Sequence, residues 1–230
     1  MSDRCKLVNI PYIVINTDVS KAVIRVSLYL ALGDSITAGY GVGNSYSFPT
    51  IYGNFLRRHN QDLSVYNLGV NGLTTHGLLE LLLFNRSLRH LVSLASLITI
   101  TIGSNDLLHL FKNSNQSINT SQLPVILGNM GKTLAQVGDV VKRLNPMAIV
   151  KVATLYNPLP AGPYAQYYAQ AQGVIDTANV MIITWAKRYG FVVVCLDREI
   201  RGKEPSLIGP DYGHPNAAGY RVMAKAFARY

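Results

Sequence analysis

Apolar and polar positions along the chain follow two alternating rhythms. Mainly apolar runs rich in β-branched residues, at Val23–Leu32, Leu97–Ile102, Ala148–Ala153 and Phe191–Leu196, with a shorter one at Leu63–Asn67, have the length and composition of strands. Between them, apolar residues recur at helical spacing in Phe48–Arg58, in Thr74–Ala95 with room for one break, and in Gln122–Leu144 despite Gly128, Gly131 and Gly138. A proline-rich loop, Asn157–Pro163, leads into a long helical stretch from Tyr164 to Tyr189, and a last one spans Pro215–Arg229. Strands separated by helices throughout imply right-handed crossovers, hence a parallel sheet covered on both faces. The pattern predicts an α/β fold of three layers, α/β/α, around a sheet of about five strands.

No repeat or low-complexity linker divides the chain, so residues 23–230 are expected to form a single domain, with Lys112–Ser121 as a surface loop. Residues 1–22 read as an N-terminal arm or extra strand. Leu7–Ile15 is apolar, but Pro11 interrupts it and no small-residue cleavage site follows, so a cytoplasmic location is expected over secretion. No run approaches the ~20 apolar residues that span a bilayer.

Hydrophobic residues make up 49% of the chain, ample for a large core. The net charge of +9 changes the picture little. Its positives come in pairs (Arg57 and Arg58, Arg86 and Arg89, Lys142 and Arg143, Lys187 and Arg188), mostly near the C-terminal ends of predicted helices, where cations complement the helix dipole. No nucleic-acid-binding motif accompanies them, and an anionic lipid surface is compatible with the charge but not indicated by it. Cys5 and Cys195 form no CxxC or Cys/His pattern, so neither a zinc site nor a disulfide framework is expected, and nothing signals a metal or cofactor.

The chemistry lies beyond the strand ends. After the first strand come Gly33-Asp34-Ser35, ordinary turn formers that also deliver a hydroxyl. After the second comes Asn67–Gly72, after the third Gly103–Asp106, and beyond the last Asp211–Pro215. Parallel strands end on one edge, so these segments can converge and assemble an acyl-transfer site. Ser35 is the candidate nucleophile and His214 the candidate base. Asp211, three residues earlier, can fold back onto Nδ1 and fix the tautomer. Pro215 suits the first position of a helix, which would put His214 at a helix N-terminus. The backbone N–H groups of Ser35 and Gly72 and the side-chain amide of Asn105 are candidate donors to an oxyanion.

Asp34 and Asp106 are read as supporting residues that brace turns by accepting backbone N–H groups. His59, His76, His90 and His109 lack partners in the motif and are read as surface or packing residues. Gly128–Thr133 ends like a phosphate-binding loop, but Ile126 stands where that motif needs glycine. Tyr164, Tyr167 and Tyr168 are read as a packing face, with the lining of an acyl pocket as the alternative.

Four blocks, GDS at Gly33–Ser35, NLGVNG at Asn67–Gly72, GSND at Gly103–Asp106 and DYGHP at Asp211–Pro215, resemble the SGNH hydrolases, the GDSL family of lipases and esterases, in that family's order and from Leu30 to the C-terminus. The resemblance implies a flavodoxin-like fold, a metal-free and cofactor-free hydrolase, and a small-molecule acyl ester as substrate. It also implies Ser35, Asp211 and His214 as triad, with Ser35, Gly72 and Asn105 forming the oxyanion hole. The expected activity is hydrolysis of short- to medium-chain carboxylic esters. A thioesterase, lysophospholipase or carbohydrate O-deacetylase would use the same triad, and an inactive surface-binding protein is the reading from another class. The resemblance does not extend to the first 20 or so residues, and the oligomeric state stays open.

Overall fold

The computed structural model describes residues 27–111, 120–159 and 165–230. Five parallel strands, β1 (Leu28–Gly33), β2 (Ser64–Gly69), β3 (Leu97–Thr101), β4 (Ile149–Ala153) and β5 (Val192–Val194), form one sheet in the order β2-β1-β3-β4-β5. β1 and β3 are buried along their whole length because each has neighbours on both edges and helices on both faces, whereas β2, at the edge, is partly exposed. The chain leaves β1 to one side for β2 and returns across it to β3. That reversal opens a crevice at the C-terminal end of β1, the usual binding place in such sheets.

Successive side chains of a strand point to opposite faces, and here they reach two chemically different cores. Leu28, Leu30 and Leu32 pack into an aliphatic cluster with residues of α3 (Thr75–Phe84), α4 (Arg86–Leu94), α6 (Leu123–Leu144) and α7 (Ala165–Arg188), where each fully buried leucine contributes roughly 1.5–3 kcal/mol. Tyr29 and Ala31 face an aromatic cluster built from α2 (Phe48–Arg57), α8 (Leu196–Ile200), α9 (Glu204–Leu207) and α10 (Ala217–Arg229). Phe48 and Phe227 stack there at 4.6 Å. The same face holds a buried cation: Lys151 of β4 donates to Tyr52 Oη (2.9 Å) and to the Phe227 carbonyl (2.8 Å) at the end of α10, and burial lowers its pKa to about 8. Two single-turn helices, α1 (Ser35–Ala38) and α5 (Ser104–Leu107), follow β1 and β3 directly.

The structure refines several sequence expectations. The break in Thr74–Ala95 falls at Asn85, whose side chain accepts from Leu88 N and caps α4. The strand read as Phe191–Leu196 ends at Val194, because Leu196 opens α8, held where Asp197 N donates to Thr154 Oγ1. The glycines of Gly128–Thr133 lie inside α6, so that stretch is helix and not a phosphate-binding loop. Arg57, Lys142, Arg143, Lys187 and Arg188 do sit in last turns. Arg86 and Arg89 instead belong to the first half of α4, and Arg89 donates to the Leu82 carbonyl near the end of α3 (2.8 Å). Cys195 is disulfide-bonded, against the expectation of no disulfide; its partner lies outside the described residues. So do residues 1–22, the start of the first predicted strand, Lys112–Asn119 and Tyr164. Among the described residues no helix is long and apolar enough to cross a membrane.

Candidate active site

Ser35 is the first residue of α1, directly beyond the buried end of β1. The turn that carries it is locked from three sides. Gly33 has φ 149°, and a Cβ there would lie 2.2 Å from the Thr101 carbonyl, so only glycine fits against β3. Asp34 donates its N–H to that same carbonyl (3.1 Å). Its side chain accepts from Ile36 N (3.0 Å) and Thr101 Oγ1 (3.1 Å), capping the helix that begins with the serine. Gly69, at the end of β2, abuts α1 so closely that a Cβ would stand 2.1 Å from Ala38 N. Asn67 completes the lock, donating from Nδ2 to the Thr37 carbonyl (2.8 Å) and accepting from Gly69 N (3.1 Å).

His214 reaches this serine from a separate turn. Its Nε2 lies 2.8 Å from Ser35 Oγ, and its Nδ1 lies 2.6 Å from Asp211 Oδ2. The other carboxylate oxygen of Asp211 accepts from Gly213 N (3.1 Å) and His214 N (3.0 Å), so one aspartate shapes the turn and orients the ring it carries. Tyr212, with φ 51°, supplies the tight bend. Partial burial alone would raise the pKa of Asp211, but the hydrogen bonds from His214 and Gly213 outweigh it and hold the carboxyl below its usual range. The Tyr40 ring covers the imidazole at 4.3 Å between centroids, tilted by 36°.

Pro215 does not begin a helix. It pairs as an antiparallel bridge with Ile208, and Gly209 N donates to the His214 carbonyl (2.7 Å) while Asn216 N donates to the Leu207 carbonyl (2.8 Å). Asn216 is the cap of α10, accepting from Ala218 N and Gly219 N, so the helix starts at Ala217. The expected helix N-terminus at His214 is therefore corrected. Its turn is fixed by a short clip onto α9 and by Asp211.

The two remaining blocks are clamped to each other. Asn105, in α5, donates from Nδ2 to the Leu73 carbonyl (2.9 Å), next to Gly72. Asp106 accepts from Thr75 N (3.0 Å) and Thr75 Oγ1 (2.6 Å) at the start of α3. Gly72 has φ 78° and open space where a side chain would be. Ser35, His214 and Asp211 are thus joined by direct hydrogen bonds, and Gly72 and Asn105 meet through Leu73.

Of the other histidines, His59, His76 and His90 are exposed. Tyr167 packs partly buried against the aliphatic core, and Tyr168 donates to Glu204 Oε1 (3.1 Å). Among the described residues no group of three or more His, Cys, Asp or Glu is placed to hold a metal ion. Sequence reasoning gave no role to Thr101, Tyr40 or Tyr156. Thr101 had a signal, a polar residue ending an apolar strand run. Tyr156, whose hydroxyl donates to the Gly213 carbonyl (3.0 Å), had none, because only the fold brings positions 156 and 213 together.

Comparison with known proteins adds a family. The family model described as GDSL-like Lipase/Acylhydrolase family matches residues 31–222, most of the chain. The chain is 25% identical over 205 residues to the spore germination lipase LipC of Bacillus licheniformis, an alignment covering 86% of this chain and 92% of that protein. Its fold is similar to the crystal structure of the lipase Lip_vut3 from a goat rumen metagenome, with a TM-score of 0.74 at 23% identity, over 88% of this chain and 96% of that one. It is also similar to Axe2, an acetylxylan esterase from Geobacillus stearothermophilus, with a TM-score of 0.64 at 20% identity, over 88% and 93%.

Proposed function

Because the chain belongs to the GDSL-like Lipase/Acylhydrolase family and is thereby a carboxylic ester hydrolase, we propose that it hydrolyses short- to medium-chain esters through an acyl-enzyme on Ser35. In this reading Ser35 Oγ attacks the ester carbonyl carbon while His214 Nε2 takes its proton. Asp211 keeps the other ring nitrogen protonated and stabilises the imidazolium that forms. The carbonyl oxygen, now an anion, accepts hydrogen bonds from Ser35 N–H, Gly72 N–H and the Asn105 amide, donors fixed before the reaction begins. Collapse of this intermediate breaks the bond to the alcohol, which leaves with the proton from His214. A water molecule then repeats the sequence on the acyl-serine and releases the acid.

The reading rests on one observation above the rest: an unbroken hydrogen-bonded line from Asp211 through His214 to Ser35, at 2.6 and 2.8 Å. Asn105 has a second amide hydrogen beyond the one given to Leu73, so it can hold its position and still donate. The test is a panel of esters of graded acyl length, run beside thioesters and acetylated sugars, on the wild type and on Ser35→Ala. Turnover greatest on short and medium esters and lowered at least about a thousandfold in the variant supports the proposal. Undiminished turnover in Ser35→Ala removes the serine from the mechanism, and turnover confined to thioesters or acetylated sugars reassigns the substrate.

A further inference from the structure

Asp34 stands beside the nucleophile, yet the chemistry above uses only part of it. The residue is 1% exposed, and its Oδ1 already accepts from Ile36 N and Thr101 Oγ1. Its Oδ2 is equally buried and has no hydrogen-bond partner among the described residues. An unpaired buried carboxyl oxygen costs more than almost any other polar group, and folded proteins rarely keep one without a compensating ligand. Asp34 lines a pocket together with Ile36, Ser104, Thr154, Tyr156 and Leu196, between the C-terminal ends of β1, β3 and β4. It has room for about one water molecule, and the residues that line it include the hydroxyl-bearing Ser104, Thr154 and Tyr156 among apolar neighbours.

We propose that this pocket is a binding site for a single water molecule, which accepts a hydrogen bond from the protonated Oδ2 of Asp34 and donates one to the hydroxyl of Tyr156. The directions along this line are consistent. Asp34 donates to the water, the water donates to Tyr156 Oη, and Tyr156 donates to the Gly213 carbonyl at 3.0 Å. The line joins the turn that carries Ser35 to the turn that carries His214. Asp34 is then a positioning residue that works as a neutral acid. Ionised, it could not donate, and its charge would oppose the oxyanion forming on its neighbour.

The surroundings favour the neutral form. Burial pushes the Asp34 carboxyl up to about 7, against the hydrogen bonds from Ile36 and Thr101, with the charge of Asp106 adding to the rise. Besides Asp106, the titratable groups near it are Tyr156 and Tyr220, both raised by burial, and beyond them Asp211, which acts on both tyrosines. Among the described residues no lysine or arginine contributes to its shift. With its carboxyl pushed up to about 7, Asp34 changes charge around neutral pH.

The inference rests on the serine reading for its consequence but not for its existence, and the tests separate the two. A crystal structure of Ser35→Ala at a resolution that shows solvent should contain a water within hydrogen-bonding distance of both Asp34 Oδ2 and Tyr156 Oη; density without it overturns the site, whatever the enzyme's activity. Asp34→Asn mimics the neutral acid, since its oxygen can accept from Ile36 N while its amide donates to the water. In the wild type kcat should decline on the alkaline side of neutrality, and in Asp34→Asn that decline should vanish. The same alkaline decline in both proteins overturns the neutral-acid role. Tyr156→Phe should lower kcat severalfold at unchanged KM, and an unaltered kcat removes the link to His214.

Discussion

The proposed triad is assembled from two turns built on opposite principles. The Gly33–Ile36 turn is buried, pressed between β2 and β3, and its aspartate is held almost without solvent, with burial raising its pKa to about 7. The Asp211–His214 turn is open to water, with the His214 side chain a quarter exposed, and its aspartate is kept below the usual carboxylate range by hydrogen bonds from the residues it serves. Two aspartates, each within three residues of Ser35 or His214, are driven in opposite directions by burial on one side and donated N–H groups on the other. The buried turn fixes the position of Ser35, the proposed nucleophile. The open turn sets the Asp211 carboxylate behind the ring of His214, the proposed base, and leaves that ring partly exposed. Each turn has its own support: the aromatic cluster holds α10 behind the His214 turn, and the Thr101 end of β3 holds the turn of Ser35 through Asp34.

The sharpest way to break this division is at the open turn. Asp211→Asn keeps the size of the side chain but removes its charge and disturbs the tautomer of His214, so kcat should fall roughly 1,000- to 10,000-fold with little change in KM or in thermal stability. A fall of less than about tenfold would mean that the ring is oriented by Tyr40 and the backbone instead. At the buried turn the order of effects reverses, with stability lost first. Gly33→Ala forces a Cβ onto the Thr101 carbonyl and should cost about 2–4 kcal/mol, read as a lowered midpoint of urea unfolding. An unchanged midpoint would show that β1 and β3 can part at that point.

The smallest effect sharpens the comparison between the two aspartates. The folded pKa of Asp34 lies above the unfolded value, so its contribution is fully present below about pH 4 and is lost as pH rises toward 7. Asp34→Asn does not titrate. Its Tm relative to wild type should therefore be higher at about pH 8.5 than at about pH 5, by an amount corresponding to a kcal/mol or more. Asp211 has the opposite sign: its folded pKa is depressed, so its contribution is present above about pH 4 and disappears as pH falls below that.

How much of this was legible beforehand follows from where the information lies along the chain. The five strands and their helices were readable because burial on both faces writes long apolar runs into β1 and β3, and helical periodicity survives even the glycines of α6. The candidate triad residues were readable because Asp211 and His214 are three positions apart and Ser35 ends a strand, both local facts. The short helices α8 and α9 were not, because a single turn is too brief to show a period. Pro215 misled for a related reason: its preference for a helix start is real, but the bridge to Ile208 and the capping side chain of Asn216 decide where α10 begins, and those are tertiary contacts. The pocket beside Asp34 left no trace in the sequence, since Asp34, Ser104 and Tyr156 come from three different strand ends.

The central claim is that one serine forms the covalent intermediate. The direct measurement is mass spectrometry of the intact protein, and then of its peptides, after reaction with a serine-directed fluorophosphonate. The account predicts a single added phosphonyl group located on Ser35, formed rapidly in the wild type and at a rate lowered by orders of magnitude in His214→Ala. Labelling at another residue, or ester turnover that persists in protein fully labelled at Ser35, would contradict it.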